Sequence, residues 1–388
     1  MFETDKTMEE KMNVKQAIGW VFGVAMLALT AQAVAEQVKV GVVQALSGPP
    51  AIVDFGESYL QGIEAALREY KATRPKHDVE IITYNDEANP QRAVSLVQRL
   101  IANDRVSAVI GTVNAASVVA FSPILQQAQI PVLIGPSTAT DITTRFIAQQ
   151  PSYVFRCSMV ENHMIDAVLD WAVKHHKKIG LIHTTSGYGM FALAEIQKGM
   201  AQRNVQLAAV ESGAPTVTDM TPQVLKLKNA GVDLLLVYHD SPELIYRAFQ
   251  KVDYKPAVAA SWGLSSKMTV NVIGKDAIEG AVMAQALDLN NAKAKGFDEM
   301  MTRTLGDKYR WPVVAALGYD AMRIMLGAID RAGASPGKIR DALESTEGFA
   351  AVSGIPAKPF SATDHECVDA SQVFMGVWRG GRVVKLSN

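Results

Sequence analysis

Two short polar stretches offer the best material in this chain for binding chemistry. Asn114-Ala115-Ala116-Ser117 follows the apolar run Val106–Gly111, and Gly135-Pro136-Ser137-Thr138 follows the apolar run Ile130–Ile134. Side chains this short let a ligand reach the backbone N–H groups beneath them, with hydroxyls alongside. Where such a turn opens onto a helix, the unpaired N–H donors and the helix dipole both favour an anion. We read the two turns as one wall of a small-molecule site. Taken alone, the same residues serve equally well as ordinary strand-to-helix turns, since Ser, Thr and Asn begin most helices.

The residues that could carry a reaction are less convincing. Ser186-Gly187-Tyr188-Gly189 follows a strand with His183 nearby, but no strained G-x-S-x-G elbow is present. His175-His176 sits among Lys174 and Lys177, which reads as a solvated helix end rather than a metal pair. No G-x-G-x-x-G follows the first strand, so the dinucleotide fingerprint is missing. Met322 and Met325 fall on an apolar helix and read as core, as do Trp171 and Trp311 as packing. Trp262 differs by its place just after a strand, where packing and ligand contact are equally reasonable. The expectation is a binding protein with no catalytic residue, no metal and no cofactor.

The elements that must position these residues alternate regularly. Runs apolar on both faces, separated by single helices, imply parallel strands covered on both sides. Strands are expected at Val38–Val43, Val79–Tyr84, Val106–Gly111, Ile130–Ile134 and Tyr153–Arg156, with helices at Gly56–Arg74, from Pro90 to Ile101 and at Ser117–Ala128. Gln44–Phe55, rich in Ser, Gly and Pro, reads as a loop. A second series repeats the pattern: strands at Ile179–His183, Gln206–Val210, Val232–Tyr238 and Ala257–Ala260 alternate with helices at Met164–Lys174, Met190–Arg203, Thr221–Asn229 and Pro242–Gln250. Helical segments Phe297–Leu305, Val313–Arg331 and Lys338–Ser345 follow. A closing hairpin, Gln372–Trp378 and Arg382–Lys385, turns at Gly380-Gly381. Two similar doubly wound α/β lobes are the economical reading.

Length and composition agree. A chain of 388 residues exceeds one ordinary core. Its 48% hydrophobic content and net charge of −1 mark a globular protein without a face for nucleic acid or membrane. At the N-terminus, Lys11 and Lys15 precede an apolar run, Ala17–Leu29, and then the small residues Ala33-Val34-Ala35. This is the pattern of a secretory signal peptide over residues 1–35, cleaved after Ala35. The run is too short to span a bilayer, and no later stretch is expected to be long enough. With no lipid-attachment Cys beside the cleavage site, the mature chain is expected to be soluble in the periplasm. Cys157 and Cys367 are the only cysteines. An exported protein can oxidise such a pair, but spacing alone does not show that they meet.

Six stretches in order, LSGPPAIVDFGESYLQGIEAA, NDEANPQRA, VIGTVNAASVVA, IPVLIGPSTATDIT, YVFRCS and TTSGYG, resemble the periplasmic solute-binding proteins of branched-chain amino-acid ABC transporters. The resemblance covers nearly all of the mature chain. It implies a type I periplasmic binding protein: two Rossmann-like lobes joined by a three-strand hinge, closing on a ligand like a Venus flytrap. One lobe would comprise 36–156 plus 282–353, the other 157–281 plus 354–388. Crossings would fall near Arg156, Ala281–Ala284 and Ser353–Lys358.

Carried over residue by residue, the resemblance places the first-loop aromatic on Phe55, or on neighbouring Asp54. The turns that hold a carboxylate fall on Asn114, Ala115, Ala116 and Ser117 and on Ser137 and Thr138. From the second lobe come Tyr188, Tyr238, Asp240 and Trp262. The departures matter. Ala115 stands where the family has a hydroxyl, and Pro136 has no N–H to offer. Ser261-Trp262-Gly263-Leu264 occupies the place of the acidic residue that holds an α-ammonium. Either Asp240 or Glu161 supplies that charge, or the ligand carries no ammonium, since a buried unpaired ammonium is expensive. The resemblance implies a monomeric periplasmic receptor that captures a small carboxylate-bearing solute, an amino acid or an aromatic or keto acid. It would deliver the solute to an ABC permease and its ATPase. A sensor of the same fold that regulates a partner protein, or a hydrolase, is the other reading.

Overall fold

The computed structural model describes residues 36–48 and 50–387. The export-signal reading, with its cleavage after Ala35, lies outside the described residues. The chain alternates strand and helix from the start: β1 (Glu36–Gln44), α1 (Pro50–Ala72), β2 (His77–Asn85), α2 (Pro90–Arg99), β3 (Ala108–Gly111), α3 (Ala115–Ala128), β4 (Val132–Ile134), α4 (Thr144–Ile147) and β5 (Val154–Arg156). A second series follows with α5 (Glu161–His175), β6 (Ile179–Thr184), α6 (Gly187–Gln202), β7 (Ala209–Gly213), α7 (Thr221–Asn229), β8 (Leu234–Tyr238), α8 (Pro242–Lys251) and β9 (Ala257–Ala260). Two short helices, α9 (Lys267–Ile273) and α10 (Lys275–Ile278), lead to β10 (Val282–Gln285). The C-terminal part is α11 (Ala292–Leu305), α12 (Pro312–Ala332), α13 (Pro336–Glu344), β11 (Phe374–Arg379) and β12 (Arg382–Lys385).

These strands form two sheets. The first is ordered β2-β1-β3-β4-β5 and the second β12-β11-β10-β9-β8-β6-β7. β1, β3, β4 and β5 pair in parallel, as do β7, β6, β8, β9 and β10, while β11 and β12 are antiparallel additions at the edge. Counting β6 as the first strand of its series, the order β7-β6-β8-β9-β10 repeats the first sheet's winding. Each sheet therefore has its own switch point, between β1 and β3 and between β6 and β8, where doubly wound sheets open a crevice at the strands' carboxyl ends. The central strands β3, β4, β5, β6 and β8 are buried along their whole length, as unbroken apolar runs require.

The chain passes between the sheets three times. It leaves the first after β5, leaves the second after β10 to lay α12 against α1, and returns to the second at β11. The middle passage comes later than the 282 boundary predicts, because β10 is hydrogen bonded between β9 and β11 within the second sheet. The return passage also touches the first sheet: Arg156 and Glu366 form a parallel bridge beside β5.

Two further expectations are corrected. The stretch predicted as a loop to Phe55 is helical from Pro50, because proline at the first helical position fits the turn and no glycine interrupts before Gly56. In α12, 21 residues are long and apolar enough to cross a membrane, yet most of that helix is buried inside the fold. It is the core helix of a globular domain. Its approach to α1 is unusually close. A Cβ on Gly62 would meet the Ala315 carbonyl at 2.0 Å, and one on Gly318 the Tyr59 carbonyl at 2.2 Å.

Candidate ligand-binding site

The turns after β3 and β4 lie side by side, because those strands are neighbours in parallel register. Gly111 holds a φ of +145°, and a Cβ there would meet the Val43 carbonyl at 2.0 Å, so only glycine lets the chain leave β3 along this path. Asn114 caps α3 with its side chain, which accepts from the Ser117 N–H at 3.0 Å. That N–H is consequently spent inside the protein, a correction to its expected part in holding an anion. Ala115 is half-buried and Ala116 is exposed on the helix surface. The Ser117 hydroxyl is buried. It lies near Asp86, whose carboxyl burial raises while the Thr112 and Ser117 hydroxyls pull it back.

The second turn leads directly into the interior. Ser137 is buried with its hydroxyl unpartnered. Thr138 Oγ1 donates to Glu161 Oε2 at 2.7 Å, and the Glu161 N–H donates to the Thr138 carbonyl at 2.8 Å. Glu161 opens α5 and is almost wholly buried; its second oxygen has no partner in the protein. Burial pushes its carboxyl up to about 7, against the opposing pull of the Thr138 hydroxyl and the Arg156 charge.

From the second sheet, Tyr188 stands in the first turn of α6, not in a loop, because the helix already begins at Gly187. Its hydroxyl lies 2.9 Å from Ser261 Oγ, and its ring lies 6.3 Å from that of Tyr238. Tyr238 is fully buried at the end of β8, with its hydroxyl unpartnered. Burial raises the pKa of both tyrosines, and the Glu161 charge raises it further. Both phenols thus remain neutral donors within reach of that carboxylate's field. Asp240, half-buried, adds its charge to that acting on Tyr188.

Three aromatic side chains pack together. Phe55 lies 5.1 Å from Trp262 and 4.0 Å from Trp311, ring centre to ring centre. Trp311, expected only to pack, also donates its indole N–H to Ser265 Oγ at 2.7 Å. Arg310, next to it, ties back to α1 through Asp54 at 2.8 Å. Of the two positions considered for the first-loop contact, Asp54 is thereby occupied and Phe55 faces the tryptophans. No sequence signal joins Phe55 to Trp311; only the fold brings them together.

The structure therefore gathers Thr138, Glu161, Tyr188, Tyr238 and Ser261 into one polar cluster, with Ser137 next to Thr138 in the chain. Phe55, Trp262 and Trp311 pack against one another, and Trp262 follows Ser261 in the chain. Among the described residues no group of side chains could hold a metal ion. Buried polar atoms without partners are few in native proteins, and those in this cluster suit a small polar molecule.

A family model described as periplasmic binding protein matches residues 37–381. The chain is 27% identical over 302 residues to Leu/Ile/Val-binding protein homolog 8 of Brucella abortus, covering 73% of each. It is 23% identical over 295 residues to the Leu/Ile/Val-binding protein of Escherichia coli K12, covering 74% of this chain and 76% of that one. Among solved structures, it is similar to the branched-chain amino acid transporter substrate binding protein LivJ of Streptococcus pneumoniae in complex with isoleucine. That likeness has a TM-score of 0.77 at 19% identity, over 90% of this chain and all of the other. A Rhodopseudomonas palustris solute binding protein in complex with 4-hydroxybenzoate gives a TM-score of 0.73 at 17% identity, over 91% and 96%.

Proposed function

This chain belongs to the periplasmic binding protein family, and from that premise we propose that it is the extracytoplasmic receptor of an ABC importer, capturing a small carboxylate-bearing solute between its lobes. The observation that carries this reading is the set of buried, unpartnered polar atoms contributed from both sheets: Ser137 Oγ, Glu161 Oε1 and Tyr238 OH. A solute carboxylate held by hydroxyls and remaining N–H groups forms short, charge-assisted bonds. Differential contacts with the closed state then drive closure. The matching family model is one of binding proteins, and binding is the use this reading gives the cluster.

Within that class, an acid without an α-ammonium fits the site best. Trp262 stands where an acidic partner for an ammonium is expected, and it packs in a tilted aromatic cluster with Phe55 and Trp311. The 4-hydroxybenzoate complex of a structural neighbour lends this reading support. One observation favours an amino acid instead: Glu161 keeps a free oxygen, and the isoleucine complex belongs to the same fold.

A thermal-shift screen of amino acids against aromatic, keto and aliphatic acids, repeated on Glu161→Gln, separates the two. A true ligand at a hundred times its Kd stabilises by roughly 2.7 kcal/mol. An ammonium-free acid keeps its shift in Glu161→Gln, and Trp262→Ala removes the shift for an aromatic one. If leucine or valine gives the shift and Glu161→Gln abolishes it, the amino-acid reading stands.

A further inference from the structure

The two cysteines are 210 positions apart in the chain, and they meet at a passage between the sheets. Cys157 follows β5 directly, while Cys367 lies on the return passage that runs alongside β5. The Arg156 N–H donates to the His365 carbonyl at 2.9 Å and the Cys367 N–H donates to the Arg156 carbonyl at 3.0 Å. This short parallel ladder places the two side chains next to each other, with their sulfurs 2.9 Å apart. Both are fully buried. Cys157 Sγ also makes a long contact to the Leu317 carbonyl at 3.9 Å and lies beside the Tyr59 hydroxyl. Burial raises both thiols well away from the thiolate form, so neither is a nucleophile in the folded protein. A shift of about 1 Å would bring the sulfurs to bonding distance.

We propose that Cys157 and Cys367 form a disulfide that fastens the return passage to the end of β5. The oxidant is an external disulfide, supplied by the thiol–disulfide exchange system of an oxidising compartment. One cysteine thiolate attacks it, forming a mixed disulfide and releasing one reduced thiol. The second thiolate then displaces the other, so two protons and two electrons leave the protein and the donor leaves as two thiols. Both sulfurs are inaccessible once packed, so the exchange takes place during folding and the finished bond is shielded from reductants. For its oxidant the proposal rests on the receptor reading of an exported protein; its geometry does not. Fastening two of the three passages makes them move as one, so the lobes turn about this point and the free passage after β10 absorbs the rest of the motion.

The test uses the full chain, refolded in a mixed reduced and oxidised glutathione buffer, then unfolded in guanidinium and alkylated without reductant. The expected result is no alkylation at either cysteine and one linked pair of peptides in a non-reducing digest. In native buffer the linkage should survive dithiothreitol, and denaturant plus dithiothreitol should open it. Alkylation of both cysteines after oxidative refolding, or a glutathione adduct on one of them, would overturn the proposal. Neither outcome depends on any solute, so failure here leaves the receptor assignment standing and failure of that assignment leaves this result readable.

Discussion

Glu161 shows how one buried side chain sets measurable behaviour. Its folded pKa, about 7, lies above the ordinary carboxyl value of 4.5 because burial penalises the charged form. Folding thus favours the protonated acid. Its contribution to stability is complete below about pH 4.5 and is lost as pH rises through about 7, amounting to roughly 3 kcal/mol. In ligand-free protein, Tm should fall across that window, and Glu161→Gln should flatten the fall. Asp86 and Asp320, also raised by burial, add slope of the same sign, so the comparison with the variant isolates Glu161. Equal slopes in both proteins would remove the buried-acid account. For an ammonium-free acid the same titration acts on binding: affinity should weaken as pH rises through about 7, because an ionised Glu161 repels the ligand's carboxylate. The residue scale is also where sequence reading was partial. The strand-end positions of Ser137, Thr138, Tyr188, Tyr238 and Trp262 were legible from the apolar runs that precede them. The Asn114–Ser117 hydrogen bond that spends an expected donor was not, since capping geometry depends on how the turn settles.

At the scale of elements, alternation of apolar runs and amphipathic helices announced two doubly wound sheets, and parallel pairing follows because single helices join successive strands. Helix starts were harder. α1 and α6 begin earlier than expected, at Pro50 and Gly187, where a loop-like composition nonetheless forms a first helical turn. What the pattern could not reveal is how tightly two helices meet. Gly62 and Gly318 put the α1 and α12 backbones in contact, and α12 carries much of the interior. Gly62→Ala should therefore cost about 1–3 kcal/mol or more, through overpacking against the Ala315 carbonyl and the Tyr319 N–H rather than through lost propensity, which alanine improves. Gly296→Ala, on α11 with open space around its Cβ position, is the control and should be neutral or slightly stabilising. Urea unfolding midpoints with an unchanged m-value would measure both. A neutral Gly62→Ala would contradict the close crossing.

For the whole molecule, the decisive region is where the return passage meets β5. Arg156 is fully buried and its guanidinium is shared among Glu366, with Nη2 to Oε1 at 2.6 Å, and the carbonyls of Ala139 and Thr140. Thr143 Oγ1 also donates to Glu366. Replacing Arg156 with Ala strands a largely buried carboxylate and opens those carbonyls, so a loss of roughly 3–5 kcal/mol is expected. Differential scanning calorimetry would measure it, and Arg156→Ala combined with Glu366→Ala should recover part of the loss. If the double variant is no better than the single one, the ion pair is not the cause.

Taken by itself, the sequence determined the fold class, the repeat of one winding pattern in two sheets, and the short polar residues at the strand tips. Those properties follow from local periodicity and from the short side chains that end each strand. The tertiary structure alone decided which of those tips converge. It placed Thr138 on Glu161, Phe55 against Trp311, and Cys157 beside Cys367 across 210 positions. No local rule encodes such meetings, because each depends on where the chain passes from one sheet to the other and on how closely the packed helices let those passages approach.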